Sequence, residues 1–292
     1  MDQGRVLVTY GTESVVETAD GTLVRCLTRR RTGRPVCGDR VDWSGRPPGE
    51  CVIQAIHPRR NTLIRTDYRG HEKPLAANLD QLLFMCAPEP APDARLMDRY
   101  LVLAESLGIT PLIAVNKQDL AADPALAMPG MVTDAASRHG FAVHAVSAAS
   151  GQGLEALAQA LTGMTTLLAG QSGVGKSSLI NALVPDRHVR TQEISATSGQ
   201  GRHTTTATTL YSLPDGGAIV DAPGVRTLRL GHLSRASIQQ GFPEIAALAA
   251  HCTYRDCEHG DEPGCAVRSA AAEQRISATR LRNFRELLAE RS

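Results

Sequence analysis

Aromatic side chains are scarce in this 292-residue chain: four Phe, five Tyr and one Trp make up 3% of it. A nucleic-acid interface built mainly on stacking of unpaired bases is therefore not expected. Lysine is scarcer still, with Lys73, Lys117 and Lys176 standing beside 28 arginines. An excess of either charge is missing as well. Lys and Arg total 31 and Asp and Glu 30, which excludes a histone-like polycation or an acidic tail. No apolar run approaches the roughly 18–20 residues of a membrane span. The start, Met1-Asp2-Gln3-Gly4-Arg5, lacks the basic-then-apolar layout of a signal peptide. A soluble, cytoplasmic protein with no membrane partner is expected. Cysteine is present seven times, an odd number that argues against a disulfide framework. What the chain does have is 42% hydrophobic residues, enough for a packed core, and a length that suggests about two domains.

Charge and rhythm divide the chain into three parts. Residues 1–75 carry net charge +4, residues 76–227 carry −4 and residues 228–292 carry +1. Arg25, Arg29, Arg30, Arg31 and Arg34 fall within ten residues that contain no acid. In the first part, β-favouring runs at 6–10, 23–27 and 51–56 are punctuated by Gly11, Asp20-Gly21, Gly33, Gly38-Asp39 and Pro47-Pro48-Gly49. Short strands at this density predict a small barrel of the OB type, or another small β domain. In the second part, apolar strands at 81–87, 111–115, 142–146 and 165–169 alternate with helices. One helix is capped by Asp93, buries Leu96, Tyr100, Leu103, Ala104 and Leu107, and ends at Gly108. Two more are expected over about 131–139 and 154–161. Such alternation predicts an α/β domain with parallel strands and crossover helices. The third part reads as a short helix near 236–240, a Cys/His cluster, and one Arg-rich amphipathic helix over about 270–288.

Gly170-Gln171-Ser172-Gly173-Val174-Gly175-Lys176-Ser177 fits G-x-x-x-x-G-K-[ST], entered by a strand and left by a helix that begins with Ser178. Glycines let the backbone aim several N–H groups at one anion, and the helix N-terminus adds its dipole. Lys176 would place its charge on the β- and γ-phosphates, and Ser177 would give a hydroxyl to Mg²⁺. Asn116-Lys117-Gln118-Asp119 follows a strand as N-K-x-D, the guanine-reading signature of GTPases. A carboxylate at Asp119 can accept from guanine N1–H and N2–H, donors that adenine lacks. Ser147-Ala148 ends the next strand, where a backbone N–H can meet guanine O6. Asp221-Ala222-Pro223-Gly224 matches D-x-x-G, with Asp221 on the Mg²⁺ side and Gly224 on the γ-phosphate side. Gly201-Arg202-His203-Thr204-Thr205-Thr206 lies between. Thr205, or Thr204 beside it, can complete the Mg²⁺ shell and order a switch segment. The order is unusual: the base reader at 116 and 147 precedes 170, 204 and 221. A permuted chain can still close the same sheet, and the segment after Asp221 then runs directly into the C-terminal part.

Cys252-x₄-Cys257-x-His259-x₅-Cys265 offers three thiolates and an imidazole within 14 residues, the ligand set of a closed structural zinc site. A disulfide plus a spare thiol is the other reading.

This combination of permuted order, Gly-Arg-His-Thr-Thr-Thr, Asp-Ala-Pro-Gly and the Cys₃His knot resembles the small-ribosomal-subunit-dependent GTPase family RsgA/YjeQ, over nearly the whole chain from Gly38-Asp39-Arg40-Val41 onward. The resemblance implies an OB barrel over 1–75, a permuted GTPase domain over 76–227 and a zinc-binding, helical domain over 228–292. It also implies late maturation of the small ribosomal subunit, with hydrolysis stimulated by that subunit. The usual glutamine after D-x-x-G is replaced by Val225, which cannot orient water, and the family makes His203 the candidate for that task. Ribosomal RNA phosphates are expected to meet Arg25–Arg34 and the final helix's Arg275, Arg280, Arg282 and Arg285, with solvated faces as the alternative. A monomer binding GTP or GDP is expected. Two other readings stay open: a nucleotide-gated RNA-binding scaffold with incidental hydrolysis, and a permuted GTPase directed to a membrane or a tRNA.

Overall fold

The computed structural model describes residues 1–47, 49–66, 71–120, 128–184, 207–223, 225 and 230–290. Strands β1 (Asp2–Tyr10), β2 (Glu13–Thr18), β3 (Leu23–Thr28), β4 (Arg40–Ser44) and β5 (Cys51–Ile56) close a barrel in the order β1-β2-β3-β5-β4. All pairs are antiparallel except β3 with β5, the closure of an OB fold. Val6, Val16, Val24, Cys26, Val41, Trp43, Cys51 and Ile53 alternate into its interior. β1 starts well before the β-favouring run at 6–10, because Asp2 to Arg5 pair with Trp43 to Arg40 of β4. The ladder, rather than side-chain preference, makes that stretch a strand.

A hairpin of β6 (Thr62–Thr66) and β7 (Glu72–Ala77) follows as its own two-stranded sheet, and the boundary expected after residue 75 falls inside β7. The barrel is fastened to it at Gly38-Asp39. Gly38 has φ +88°, and a β-carbon there would meet the Ala77 carbonyl oxygen at 2.3 Å, so only glycine fits. The fully buried Asp39 carboxylate accepts from Arg59 Nε and Nη2, both at 2.8 Å, and from the Val36 N–H at 2.8 Å.

The central sheet has the order β10-β9-β8-β11-β13-β12. Its parallel strands are β8 (Gln81–Cys86), β9 (Thr110–Val115), β10 (Ala142–Ala145), β11 (Thr165–Gly170) and β13 (Ala218–Asp221). The edge strand β12 (Thr209–Ser212) is antiparallel. Every residue of β8 and β11 is buried, which explains why they read as unbroken apolar runs rather than alternating ones. Helix α1 (Ala94–Leu107) covers one face; α3 (Leu154–Leu161) and α4 (Lys176–Leu183) cover the other. α2 (Gly130–His139) precedes β10. The Asp93 carboxylate caps α1, accepting from Arg95 N–H at 2.9 Å and Leu96 N–H at 3.3 Å, and Gly108 closes it in the left-handed region.

The C-terminal part holds α5 (Arg235–Gln240), α6 (Pro243–Ala249), α7 (Ala266–Ala272) and α8 (Ala278–Ala289). The single helix expected over 270–288 is two helices. Between them Gln274 takes φ +59° and Ile276 turns into the core. α8 and α5 pack on α1 around a buried polar knot. Asp98 accepts from Arg280 Nη1 and, at 2.7 Å, from Asn283 Nδ2, while Arg280 Nε donates to Glu244 Oε1 at 2.7 Å. The Arg280 guanidinium also lies 4.4 Å from the centre of the Phe242 ring. Among the described residues no helix is long and apolar enough to cross a membrane.

Candidate functional site

The carboxyl ends of β8, β9, β10, β11 and β13 share one edge of the sheet, the edge where open parallel sheets bind ligands. β11 lies between β13 and β8, with Leu168 opposite Asp221 and Gly170 opposite Met85. Segments at 116, 147, 170 and 221 therefore converge, although the chain reaches them out of the usual order.

The glycine loop wraps as its composition requires. Gly170, Gly173 and Gly175 have φ of +138°, +79° and +95°. A β-carbon at Gly170 would meet the Met85 carbonyl oxygen at 2.1 Å, and one at Gly175 would meet Asn116 Nδ2 at 2.4 Å. Val174 is buried beneath the loop, whereas Ser172, Ser177 and Ser178 are exposed around it. Gly175 provides no side-chain cap for α4, which leaves the first-turn N–H groups to an anion. Lys176 Nζ donates to the carbonyls of Gly170 at 2.8 Å and Gln171 at 2.6 Å, so its charge is held over the cradle.

Asn116 joins the motifs. It is 3% exposed; its Nδ2 donates to Val174 O at 2.9 Å and its Oδ1 accepts from Ala148 N–H at 2.9 Å. One amide thus ties the N-K-x-D loop to the glycine loop and to Ser147-Ala148. Ser147 is buried and its hydroxyl donates to Asp119 Oδ1, which aims the carboxylate. Gln118 bonds back to its own strand region, its N–H to Val146 O at 3.2 Å and its Nε2 to Val115 O at 3.3 Å, which makes it a brace for the loop.

A further wall went unread in the sequence: residues 87–93 after β8. Lys117, at φ +65°, donates from Nζ to Glu89 O at 2.8 Å. Gln171 donates to Ala91 O at 3.0 Å and accepts from Asp93 N–H at 2.9 Å. The base loop and the phosphate loop both grip this segment, which continues into α1. Its partners are backbone atoms, so no residue type could have signalled it.

Asp221 ends β13, half-buried. His203, Thr204, Thr205 and Gly224 lie outside the described residues. Val225 is 2% exposed and belongs to the apolar core, so its side chain is turned away from solvent.

The ligand atoms of Cys252, Cys257, His259 and Cys265 lie within 4.8 Å of one another. His259 Nδ1 is 3.6 Å from Cys252 Sγ and 3.5 Å from both Cys257 Sγ and Cys265 Sγ; Cys252 and Cys265 sulfurs are 4.0 Å apart. Tetrahedral zinc bonds of ~2.3 Å to sulfur and ~2.0 Å to nitrogen imply about 3.5 Å between S and N and about 3.8 Å between sulfurs. The four residues fit one metal ion. All seven cysteines are free thiols, so the alternative of a disulfide plus a spare thiol does not hold. Arg235 braces the loop by donating from Nη1 to Asp256 O at 3.0 Å and from Nη2 to Cys257 O.

The arginines divide. Arg25, Arg29, Arg30, Arg31 and Arg34 are all exposed, and Arg25 pairs with Glu13. Arg282 and Arg285 carry no ion pair among the described residues, whereas Arg275 is paired with Glu273 at 2.8 Å. Arg280 corrects the expectation that it meets RNA. It is spent inside the protein on Asp98 and Glu244, because a charge under α1 must be matched by buried carboxylates.

A model of the RsgA GTPase family matches residues 56–231. The small ribosomal subunit biogenesis GTPase RsgA of Azotobacter vinelandii is 43% identical over 290 residues, covering 98% of this chain and 84% of that protein. The protein of the same name from Pseudomonas aeruginosa strain LESB58 is 42% identical over 286 residues, with the same coverage of 98% and 84%. Among solved structures, YjeQ from Thermotoga maritima superposes with a TM-score of 0.75 at 27% identity, covering 99% of this chain and 98% of that one. YloQ, described as a circularly permuted GTPase, superposes with a TM-score of 0.72 at 26% identity, covering 100% and 95%.

Proposed function

Since the chain belongs to the RsgA GTPase family, we infer that it is a GTPase of small ribosomal subunit biogenesis, a hydrolase that converts GTP and water to GDP and phosphate. The observation that carries this reading is the Asn116 amide, bonded at once to the phosphate loop and to the Ser147-Ala148 turn. It brings a guanine-selective carboxylate and a triphosphate cradle onto one edge of one sheet.

The roles follow from chemistry. Asp119 accepts from guanine N1–H and N2–H, the Ser147-Ala148 turn that Asn116 holds borders the O6 side of the base, and the Lys117 stem lies along the base. The backbone of 170–176 and the α4 N-terminus take the phosphates, with Lys176 on the β- and γ-groups. Ser177, Asp221 and Thr205 would hold Mg²⁺, which would supply neutralisation of the phosphate charge. His203 positions the attacking water, since the core-facing Val225 cannot. The Cys₃His knot holds a structural Zn²⁺, which favours a closed site because all four positions are protein ligands.

The functional units are the barrel with the β6–β7 hairpin that follows it, the permuted GTPase domain up to about residue 227 and the zinc domain over 228–292, the first boundary moving from 75 to the end of β7. The protein works as a cytoplasmic monomer. The barrel's Arg25–Arg34 segment and Arg282 and Arg285 of α8 meet phosphates of the small subunit's RNA. Docking speeds hydrolysis, and loss of the γ-phosphate releases the protein. The test is hydrolysis of GTP and ATP with and without purified small subunits. Slow turnover of GTP alone, stimulation by subunits and indifference to ATP are expected. Fast turnover that subunits do not change overturns the docking mechanism, and equal use of ATP overturns the guanine assignment.

A further inference from the structure

A second charged region lies on the opposite edge of the sheet. The barrel meets the amino ends of β8, β11 and β13 across a cleft of about 900 Å³, lined on the barrel side by Arg5 and Arg40 and on the sheet side by Gly163, Thr165 and Gly217. A strand length, roughly 20 Å, separates these residues from the glycine loop. Nothing in the GTPase reading uses this cleft.

Its charges are unevenly matched. Arg5 stands directly opposite Arg40 in the β1–β4 ladder, and directly opposed residues of neighbouring strands share a face. Like charges so placed repel. On its other side Arg5 opposes Glu17, whose Oε2 accepts from Ser212 Oγ at 2.6 Å. The other carboxylate of the cleft, Asp80, takes Arg60 Nη1 and the Thr165 N–H, both at 2.8 Å. Arg5 itself donates to a neutral group, Thr165 Oγ1, at 2.7 Å; burial lowers its pKa, Arg40 adds to that, and the charges of Glu17 and Asp80 pull the other way. Arg40 is exposed to the cleft and has no ion pair among the described residues. The cleft thus holds three guanidiniums, Arg5, Arg40 and Arg60, against two carboxylates, Glu17 and Asp80, and Arg40 is the one left without an ion pair among the described residues.

We propose that this cleft is a second phosphate-ester site, in which Arg5 and Arg40 share a phosphate oxygen set and the cleft accommodates the attached sugar and base. A phosphate between the two arginines replaces repulsion with charge-assisted bonds. The volume exceeds what a bare phosphate needs, and Gly163, where an added β-carbon would meet nothing within 4 Å, leaves open space on the sheet side. The source is either a phosphodiester of an RNA strand or a free nucleotide. The first deepens the RNA-docking reading above and rests on it; the second does not.

The experiment uses the full chain saturated with GDP, so that the glycine loop is filled. A fluorescein-labelled 12-nucleotide oligouridylate is titrated by anisotropy over a salt series, and UMP is followed by equilibrium dialysis. Arg40→Ala is expected to weaken whichever ligand binds by about 5–10-fold and, for the oligonucleotide, to reduce the salt slope by about one. Arg40→Glu weakens it further, and both keep the wild-type thermal midpoint. Hydrogen exchange supplies the reading that a general surface charge would not move. Ligand slows amides at 38–41 on the barrel and at 163–165 and 217–218 on the sheet together. If Arg40 variants bind both probes like the wild type, or protection stays on the barrel alone, the proposal is overturned. An Arg30→Ala/Arg31→Ala variant separates the readings: loss there with no loss at Arg40 keeps RNA docking and removes the cleft.

Discussion

Gly175 is placed where a β-carbon would come within 2.4 Å of Asn116 Nδ2, at a φ of +95°. Gly175→Ala therefore strikes both the loop's wrap and the amide that fastens it to the base reader. GTP binding measured by calorimetry is expected to weaken by about 5–150-fold, matching a strain of about 1–3 kcal/mol. Asp119 is steered by the Ser147 hydroxyl, so its charge is aimed before any ligand arrives. Asp119→Ala removes two charge-assisted bonds of ~1.5–3 kcal/mol each from guanine alone. The preference for GDP over ADP should fall by roughly a hundredfold or more; a preference that survives would show the base is read elsewhere. These side chains were legible because their chemistry leaves little choice of residue. The 87–93 wall was not, because it contributes carbonyls and an N–H that any residue carries.

Helix α1 is the element on which the molecule hinges. The N–H of its capping residue, Asp93, is held by Gln171 of the phosphate loop, and just over a turn on it presents Asp98 to Arg280 and Asn283 of α8. Burial pushes the Asp98 carboxyl up from its ordinary value, against the pull of Arg280. Asp98→Ala leaves Arg280 with Glu244 as its remaining carboxylate under the helix. Removing one member of such a buried set costs about 3–5 kcal/mol. Arg95→Ala, which breaks a half-exposed pair with Glu286, should cost at most about 1 kcal/mol. Denaturant midpoints at unchanged m-value compare the two. The caps of α1 were readable in Asp93 and Gly108. The break between α7 and α8 was not, because it depends on Ile276 finding the core rather than on any local breaker.

At the scale of the whole molecule, two junctions hold the parts together. The barrel is joined to the sheet through Asp80 among other contacts. Burial raises its pKa, but bonds from Arg60 and the Thr165 N–H outweigh that and hold it below the usual carboxylate range. A carboxylate with a depressed folded pKa stabilises above its unfolded value, and that stability is lost as pH falls through the folded value. Asp80→Asn should therefore flatten the acid limb of a stability-against-pH curve. The C-terminal part depends on its metal knot. Chelation should make Cys252, Cys257 and Cys265 reactive to a thiol reagent and unfold the 252–265 loop, while GDP binding survives. Cys26 and Cys86, whose thiols burial pushes up to about 12, should stay slow.

Residue types and their spacing determined the chemistry by themselves: a phosphate cradle, a guanine reader and a Cys₃His ligand set each demand particular side chains within a few positions. The tertiary structure decided which of them meet. It put the early base reader beside the late phosphate loop, turned Arg280 inward while Arg282 stayed outside, and set Arg5 against Arg40 across a ladder. Adjacency of that kind comes from strand order and packing between distant segments, and no local pattern carries it.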